Sequence, residues 1–245
     1  MKHLALTGLV AASLALPIQA QAQDGANYIL ATASTGGTYY PVGVAIATLT
    51  KVRLEPSTGI GMSAVSSAGS GENVRLLREG EAQFGILQGL FGYYAATGTG
   101  PIEGDGPQEH LRSVSLLWPN VEHWVVSNDH VDSGTFSDFL GLTGGSAALG
   151  RANSGTIGSN AAILAGFDVD LFEEFQNVEG GYGPSAEALQ NGQVEGISTP
   201  AGDPVGAISQ LMAAAGDDVT ILDFTDEELA QADGGRDLWF RYTIP

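Results

Sequence analysis

Apolar residues along this chain alternate between two rhythms. Residues 28–33 (Tyr-Ile-Leu-Ala-Thr-Ala) form a short continuous apolar run that fits a buried strand, and residues 40–54 then set Val42, Val44, Ile46, Ala47 and Leu49 at helical spacing. Residues 34–38 (Ser-Thr-Gly-Gly-Thr) are therefore a strand-to-helix turn. The grammar repeats: a strand over 61–66, a turn through Ser67-Ala68-Gly69-Ser70-Gly71, and a helix over 72–79 carrying Val74, Leu76 and Leu77. Residues 84–88 predict a third strand, and residues 98–108 are a Gly- and Pro-rich surface loop. Strand and helix alternating in this way predict a parallel sheet.

A second α/β unit follows. Residues 114–117 and 123–127 predict consecutive strands, the later one passing between lobes, with a short helix over 136–140. A strand over 147–150, a turn over 152–156 and a helix over 157–165 come next, closed by Gly166. The pattern continues as a helix over 185–191, a strand over 193–198 and a helix over 204–215. A strand over 219–224 is expected to lead back toward the first lobe, followed by an acidic helix over 225–232. The fold class is α/β, with two α/β lobes and a ligand cleft between them. The expected divisions are 1–22 for an export signal, 23–123 for lobe 1, 124–222 for lobe 2, and 223–245 for an incomplete return to lobe 1. An apolar ending at Tyr242-Thr243-Ile244-Pro245, where a re-entered lobe needs more chain, leads us to expect C-terminal truncation.

The amino terminus changes the picture of where the protein works. Lys2 and His3 precede an apolar stretch over 4–16, then Pro17, and Ala20-Gln21-Ala22 supplies the small-x-small pattern of a signal peptidase site, with cleavage expected after Ala22. The stretch is too short to cross ~30 Å of hydrocarbon, so a secreted, periplasmic protein is expected. There is no cysteine, and the core must be stabilised by packing alone. The formal charge of −19, with Lys51 the one lysine after the signal, excludes nucleic acid as a partner and disfavours anionic lipid.

Three turns are built from small hydroxylic residues and glycine: 34–38, 66–71 and 153–156. Glycine lets main-chain N–H groups approach a ligand, hydroxyls add donors, and the helix that follows presents its positive end to a carboxylate or phosphate. Singly, each reads better as an N-cap or a positive-φ turn; three together shift the balance toward binding. Arg151, just before the third turn, can clamp a carboxylate through two parallel hydrogen bonds, or equally can pair with one of the many surface acids. Tyr39 and Tyr40 can wall a pocket, Tyr93 and Tyr94 read better as core, and Gln88 can offer its amide to a ligand. No nucleophile elbow, dinucleotide turn, phosphate-cradling lysine loop or zinc-protease pair occurs, and His110, His123 and His130 lack metal-ligand spacing. Two rivals to a transport receptor stay open: a secreted hydrolase using Ser34 or Ser154 with His123, and a sensor's binding subunit on the same fold.

The residues from Ala33 to Gly43, Ala-Ser-Thr-Gly-Gly-Thr-Tyr-Tyr-Pro-Val-Gly, resemble the opening signature of the TAXI family, the solute receptors of tripartite ATP-independent periplasmic (TRAP) transporters. Glu72-Asn73-Val74-Arg75-Leu76-Leu77, Gly80-Glu81-Ala82, Leu87-Gln88, the Trp118-Pro119 corner and the stretch from Gly150 to Thr156 follow in family order, as do 186–192, 200–204 and 242–245. The resemblance implies a type II periplasmic-binding-protein fold whose lobes close on a glutamate-like amino acid or small carboxylate. It also implies no cofactor and no metal, and delivery to a TRAP membrane permease; a monomer is expected. By position it implies ligand contact by Ser34, Thr35, Gly37, Thr38, Tyr39, Gln88, Ser154, Gly155 and Thr156. Gly89-Leu90 stands where serine and aspartate are common, Asn120 where glutamate is frequent, and Arg151 where small residues are usual.

Overall fold

The computed structural model describes residues 25–243; the expected signal peptide over 1–22 and the final Ile244-Pro245 lie outside the described residues. The first lobe grows from β1 (Ala26–Ala31), whose apolar run leads through the Ser34 to Thr38 turn into α1 (Tyr39–Arg53). A short α2 (Glu55–Thr58) turns the chain back into β2 (Ile60–Val65), and α3 (Ser70–Arg78) returns it to β3 (Phe84–Gly85), followed by α4 (Gly89–Thr97). The three strands form one parallel sheet in the order β2-β1-β3, with Ala26 opposite Ile60 and Ala31 opposite Val65. Crossover helices between parallel strands bring every strand's carboxyl end, and the turn after it, to the same edge.

The second lobe opens with β4 (Trp124–Ser127), which runs antiparallel between two later strands. After it come α5 (Phe136–Leu140), β5 (Ser146–Ala148), α6 (Gly155–Ala165), α7 (Leu171–Glu174), β6 (Gln176–Asn177), α8 (Tyr182–Gln190), β7 (Gly196–Ser198), α9 (Gly206–Ala215), β8 (Val219–Leu222) and α10 (Asp226–Asp233). The sheet order is β6-β5-β7-β4-β8. One face is filled by an aliphatic cluster around Val125, Ile197, Leu189 and Leu211. The other holds an aromatic cluster, with Trp124 edge-on to Phe136 at 4.8 Å and to Phe139 at 4.6 Å between ring centroids.

Three expectations are corrected by the structure. Residues 114–117 are not a strand: Val114 and Leu116 are 82% and 95% exposed, and no described strand borders β3 on its open side to pair with them. The third strand is two residues long, because the chain turns after Gln88 into α4, a helix whose glycine-broken apolar pattern gave no clear period. The strand expected over 219–224 to lead back toward the first lobe is instead the edge strand of the second sheet. β8 pairs with β4, Phe224 stacks on Phe136 at 4.6 Å, and α10, started by a Thr225–Glu228 capping box, packs on α6. Asp233 then accepts from the backbone N–H groups of Leu238 and Trp239, folding Trp239 down onto the aromatic cluster. Among the described residues, no helix is long and apolar enough to cross a membrane.

Candidate functional site

Two buried asparagines fix the turns at the sheet edges. Asn73, wholly buried on α3, donates from Nδ2 to the carbonyls of Thr32 (2.7 Å) and Ile86 (2.8 Å), and its Oδ1 accepts from Ser67 Oγ (2.6 Å). One side chain thus ties the ends of β1 and β3 to the turn after β2. In the second lobe Asn160, on α6, donates to Leu149 O (2.9 Å) and accepts from Ser198 Oγ (2.8 Å), joining the ends of β5 and β7. Buried amides cannot be left unpaired cheaply, so these contacts hold the turns in place.

The turns meet across one cavity between the lobes, lined by Ser34, Gly37, Thr38 and Tyr39 from the first turn, Ser70, Gln88, and Gly155, Thr156, Tyr182 and Pro200 from the second lobe. The long helices α1 and α6 start there, and neither has an acidic residue in its first turn. By contrast α10, remote from the cavity, carries Asp226, Glu227 and Glu228 at its start. The positive ends of α1 and α6 are therefore uncompensated by acids of their own first turns and suited to an anion supplied from outside, whereas α3, whose Ser70 also lines the cavity, carries Glu72 in its first turn. Among the described residues, no charged side chain lines the cavity.

Its polar groups form an ordered set. Burial pushes the Tyr39 and Tyr182 phenols well above their usual range, so both stay neutral donors at any ordinary pH. Tyr39 hydrogen-bonds Ser70, whose Oγ also accepts from Gln88 N (3.0 Å). Tyr182 donates to Pro200 O (2.5 Å) and receives the Thr156 hydroxyl (2.9 Å). Gln88 Oε1 is buried without a partner, close against the start of α6: a Cβ on Gly155 would come within 2.6 Å of it.

The lobes are shut on each other. Ser34 Oγ accepts from Tyr182 N (3.1 Å), Thr38 Oγ1 donates to Gly202 O (2.9 Å), Ala207 N to Gly36 O (3.1 Å) and Glu72 N to Asn153 O (2.9 Å). The cavity they enclose measures about 30 Å3. That is room for roughly two waters, so any solute of several heavy atoms enters only when the lobes part.

The sequence from 30 to 245 matches the NMT1-like family. The chain belongs to the NMT1-like family. Solved structures show the same fold. A binding-protein component of a phosphonate ABC transporter from Pseudomonas aeruginosa superposes with a TM-score of 0.55 at 11% identity, over 86% of this chain and 74% of the other. The alkanesulfonate-binding protein from Xanthomonas axonopodis pv. citri gives 0.50 at 14% identity, over 81% and 61%. An ancestral arginine-binding protein bound to glutamine gives 0.50 at 15%, over 81% and 79%. At such identities the likeness shows the fold, the two-lobed α/β periplasmic-binding-protein architecture.

In this NMT1-like protein, Ser34, Gly37, Thr38, Tyr39, Gln88, Gly155 and Thr156 come together at the cavity. Three candidate residues do not line it. Thr35 points to solvent at the turn's outer side. Ser154 is the N-cap of α6, its Oγ accepting from Ile157 N (3.1 Å). Arg151 turns across the cleft and donates to Ser67 O, so its guanidinium joins the lobes rather than facing the cavity. The sequence reading passed over Tyr182, and it named Ser70 only within the turn over 66–71 and Pro200 only within the family match over 200–204. Gly180-Gly181-Tyr182-Gly183-Pro184 is a fourth glycine-rich helix start, hidden because Pro184 reads as the first helical residue. No serine–histidine pair is assembled: Ser34 and Ser154 serve backbone N–H groups, and His123, kept neutral by burial, holds Thr199 O at 3.1 Å.

Proposed function

We propose that this protein is a periplasmic receptor of the TAXI type, capturing a glutamate-like amino acid or other small carboxylate for a TRAP-type permease. Residues 23–123 act as one lobe, and the second runs from 124 to the described end. The carrying observation is that the signature turn over 34–39, Gln88 and the start of α6 converge on one cavity, where α1 and α6 both start without an acid in the first turn. Helix N-termini and neutral hydroxyls hold the carboxylate, Tyr39 and Tyr182 wall the pocket, and closure excludes water. A site without a cation suits a singly charged planar group better than a doubly charged one, which favours carboxylate over phosphonate.

Native mass spectrometry of the exported protein should reveal a co-purifying carboxylate. Calorimetry should then give heat with at least one of glutamate, glutamine, 2-oxoglutarate or succinate. A bound sulfonate or phosphonate, or silence across the whole panel, refutes the assignment. A true ligand at a hundred times its Kd stabilises the fold by about 2.7 kcal/mol, seen as a raised Tm. Gln88→Leu should weaken that ligand about fivefold, the worth of one neutral hydrogen bond, with Tm of the free protein unchanged or slightly raised because an unpaired buried amide is gone. Unaltered affinity removes Gln88 from the site.

A further inference from the structure

The segment that carries the chain from the first lobe into the second is extended, with Val121 bridged to Ala201 and Trp118 edge-on to Tyr39 at 5.9 Å. Alternate residues of an extended segment face the same side. Here those residues are Asn120 and Glu122, and each has a buried oxygen, Oδ1 and Oε2, without any hydrogen-bond partner. The Glu122 carboxyl sits near Ser159 of α6 and the Trp239 indole, whose polar hydrogens partly offset its burial, with the Tyr39 phenol on the first lobe and the Tyr182 phenol on the second close enough to feel its charge. Neither phenol ionises at ordinary pH, and among the described residues no cation acts on the carboxyl. Arg236 lies over the Trp239 ring, and Asp203 acts on neighbouring His123, whose imidazole burial holds below its ordinary range. Glu122 is half-buried as a residue, but its Oε2 is enclosed, so an ionised Glu122 would set charge on a shielded oxygen with no counter-charge in the seam between the lobes, a costly arrangement that a proton removes.

We propose that Glu122 binds a proton when the lobes close and releases it to solvent when they part, so that closure of the cleft is proton-linked. The inference rests on the lobes opening and closing, not on which solute they hold. Its direction follows from the closed-state carboxyl, pushed up by burial to about 8 from an ordinary 4.5 that a solvated, opened seam restores. Below the ordinary value both states are protonated and closure is pH-independent. Between the two values closure takes up one proton, and the closed-to-open ratio falls about tenfold per pH unit; above the upper value both states are ionised and the ratio levels off.

The test uses solute-free full chain. Small-angle scattering from pH 4.5 to 8.5 should show a compact particle at the acid end and a growing open fraction toward the alkaline end. E122Q, which keeps shape and polarity without a titrating group, should stay compact throughout. Carboxyl 13C shifts of wild-type protein supply a readout that needs no variant: one glutamate should titrate far above the rest. The proposal fails if E122Q opens with pH as wild type does, or if every glutamate titrates in the ordinary range. Because no solute is added, this outcome is separate from success or failure of the carboxylate panel.

Discussion

Gly71→Val should give a protein whose lobes fold normally but do not close, with solute affinity down by about 5- to 150-fold. Gly71 opens α3 on the first lobe, and a Cβ there would stand 2.8 Å from the carbonyl oxygen and 3.2 Å from the carbonyl carbon of Asn153 on the second. Both are backbone atoms. Asn153 is held in the left-handed region at φ 61° and its carbonyl accepts from Glu72 N, so the turn cannot step aside without losing that bond. The side chain therefore acts as a wedge at a point of close backbone approach between the lobes. Overfilling a closed contact costs about 1–3 kcal/mol; the clash with Asn153 falls on the closed state and appears as the stated loss of affinity, while the Phe91 ring, 3.3 Å from the added Cβ on the same lobe, has to give slightly in both states. Gly89→Ala is the control, since nothing lies within 4 Å of the Cβ it would gain. Calorimetry with the co-purified solute and far-UV circular dichroism check both halves of the expectation. Affinity within twofold of wild type in Gly71→Val would mean that the lobes do not need this contact to hold a ligand.

The parts of this fold that could be read from sequence are those where a local signal and the tertiary role agree. The run over 28–33, the glycine-hydroxyl turn after it and the spaced apolar residues of α1 each specify what the structure uses, and α5 appears at its predicted residues, 136–140. The failures have tertiary causes. Residues 114–117 carry strand-like apolar residues, yet a strand exists only through a partner, and pairing is a property of the sheet rather than the segment. β6 is two residues of Gln and Asn, placed by its pairing with β5 and by the Asn177 amide, which accepts from Leu149 N and donates to Gly150 O. Arg151 shows the limit at the site. Its position beside a helix start was visible, but whether its guanidinium faces a ligand or a carbonyl on the opposite lobe depends on how the two lobes meet. Glu122 is the same kind of case: in sequence it is one acid among 28, and its burial arises from four elements converging on one seam.

Asn73→Leu should lower the unfolding free energy by about 2–4 kcal/mol and abolish measurable solute binding. Leucine fills nearly the same volume, so no cavity explains the loss; what disappears is the amide. Thr32 O and Ile86 O lose their Nδ2 donor and the Ser67 hydroxyl loses its acceptor, in a place with no water to replace them. An unpaired buried polar group costs about 1–3 kcal/mol, and partial compensation comes from the remaining bond between Ser67 Oγ and Thr32 O. Binding suffers beyond stability because these three groups mark the ends of β1 and β3 and the turn leading to Ser70 and Gln88. Asn73→Asp separates the two roles. It keeps an acceptor for Ser67 but sets a carboxylate against two carbonyls, so it should be less stable than Asn73→Leu at pH 7. It should recover as pH falls, because a protonated carboxyl can again donate. Urea unfolding at pH 5 and 7 measures both variants. A loss below about 0.5 kcal/mol in Asn73→Leu would place it with ordinary surface substitutions and show that the strand ends are held by something other than this side chain.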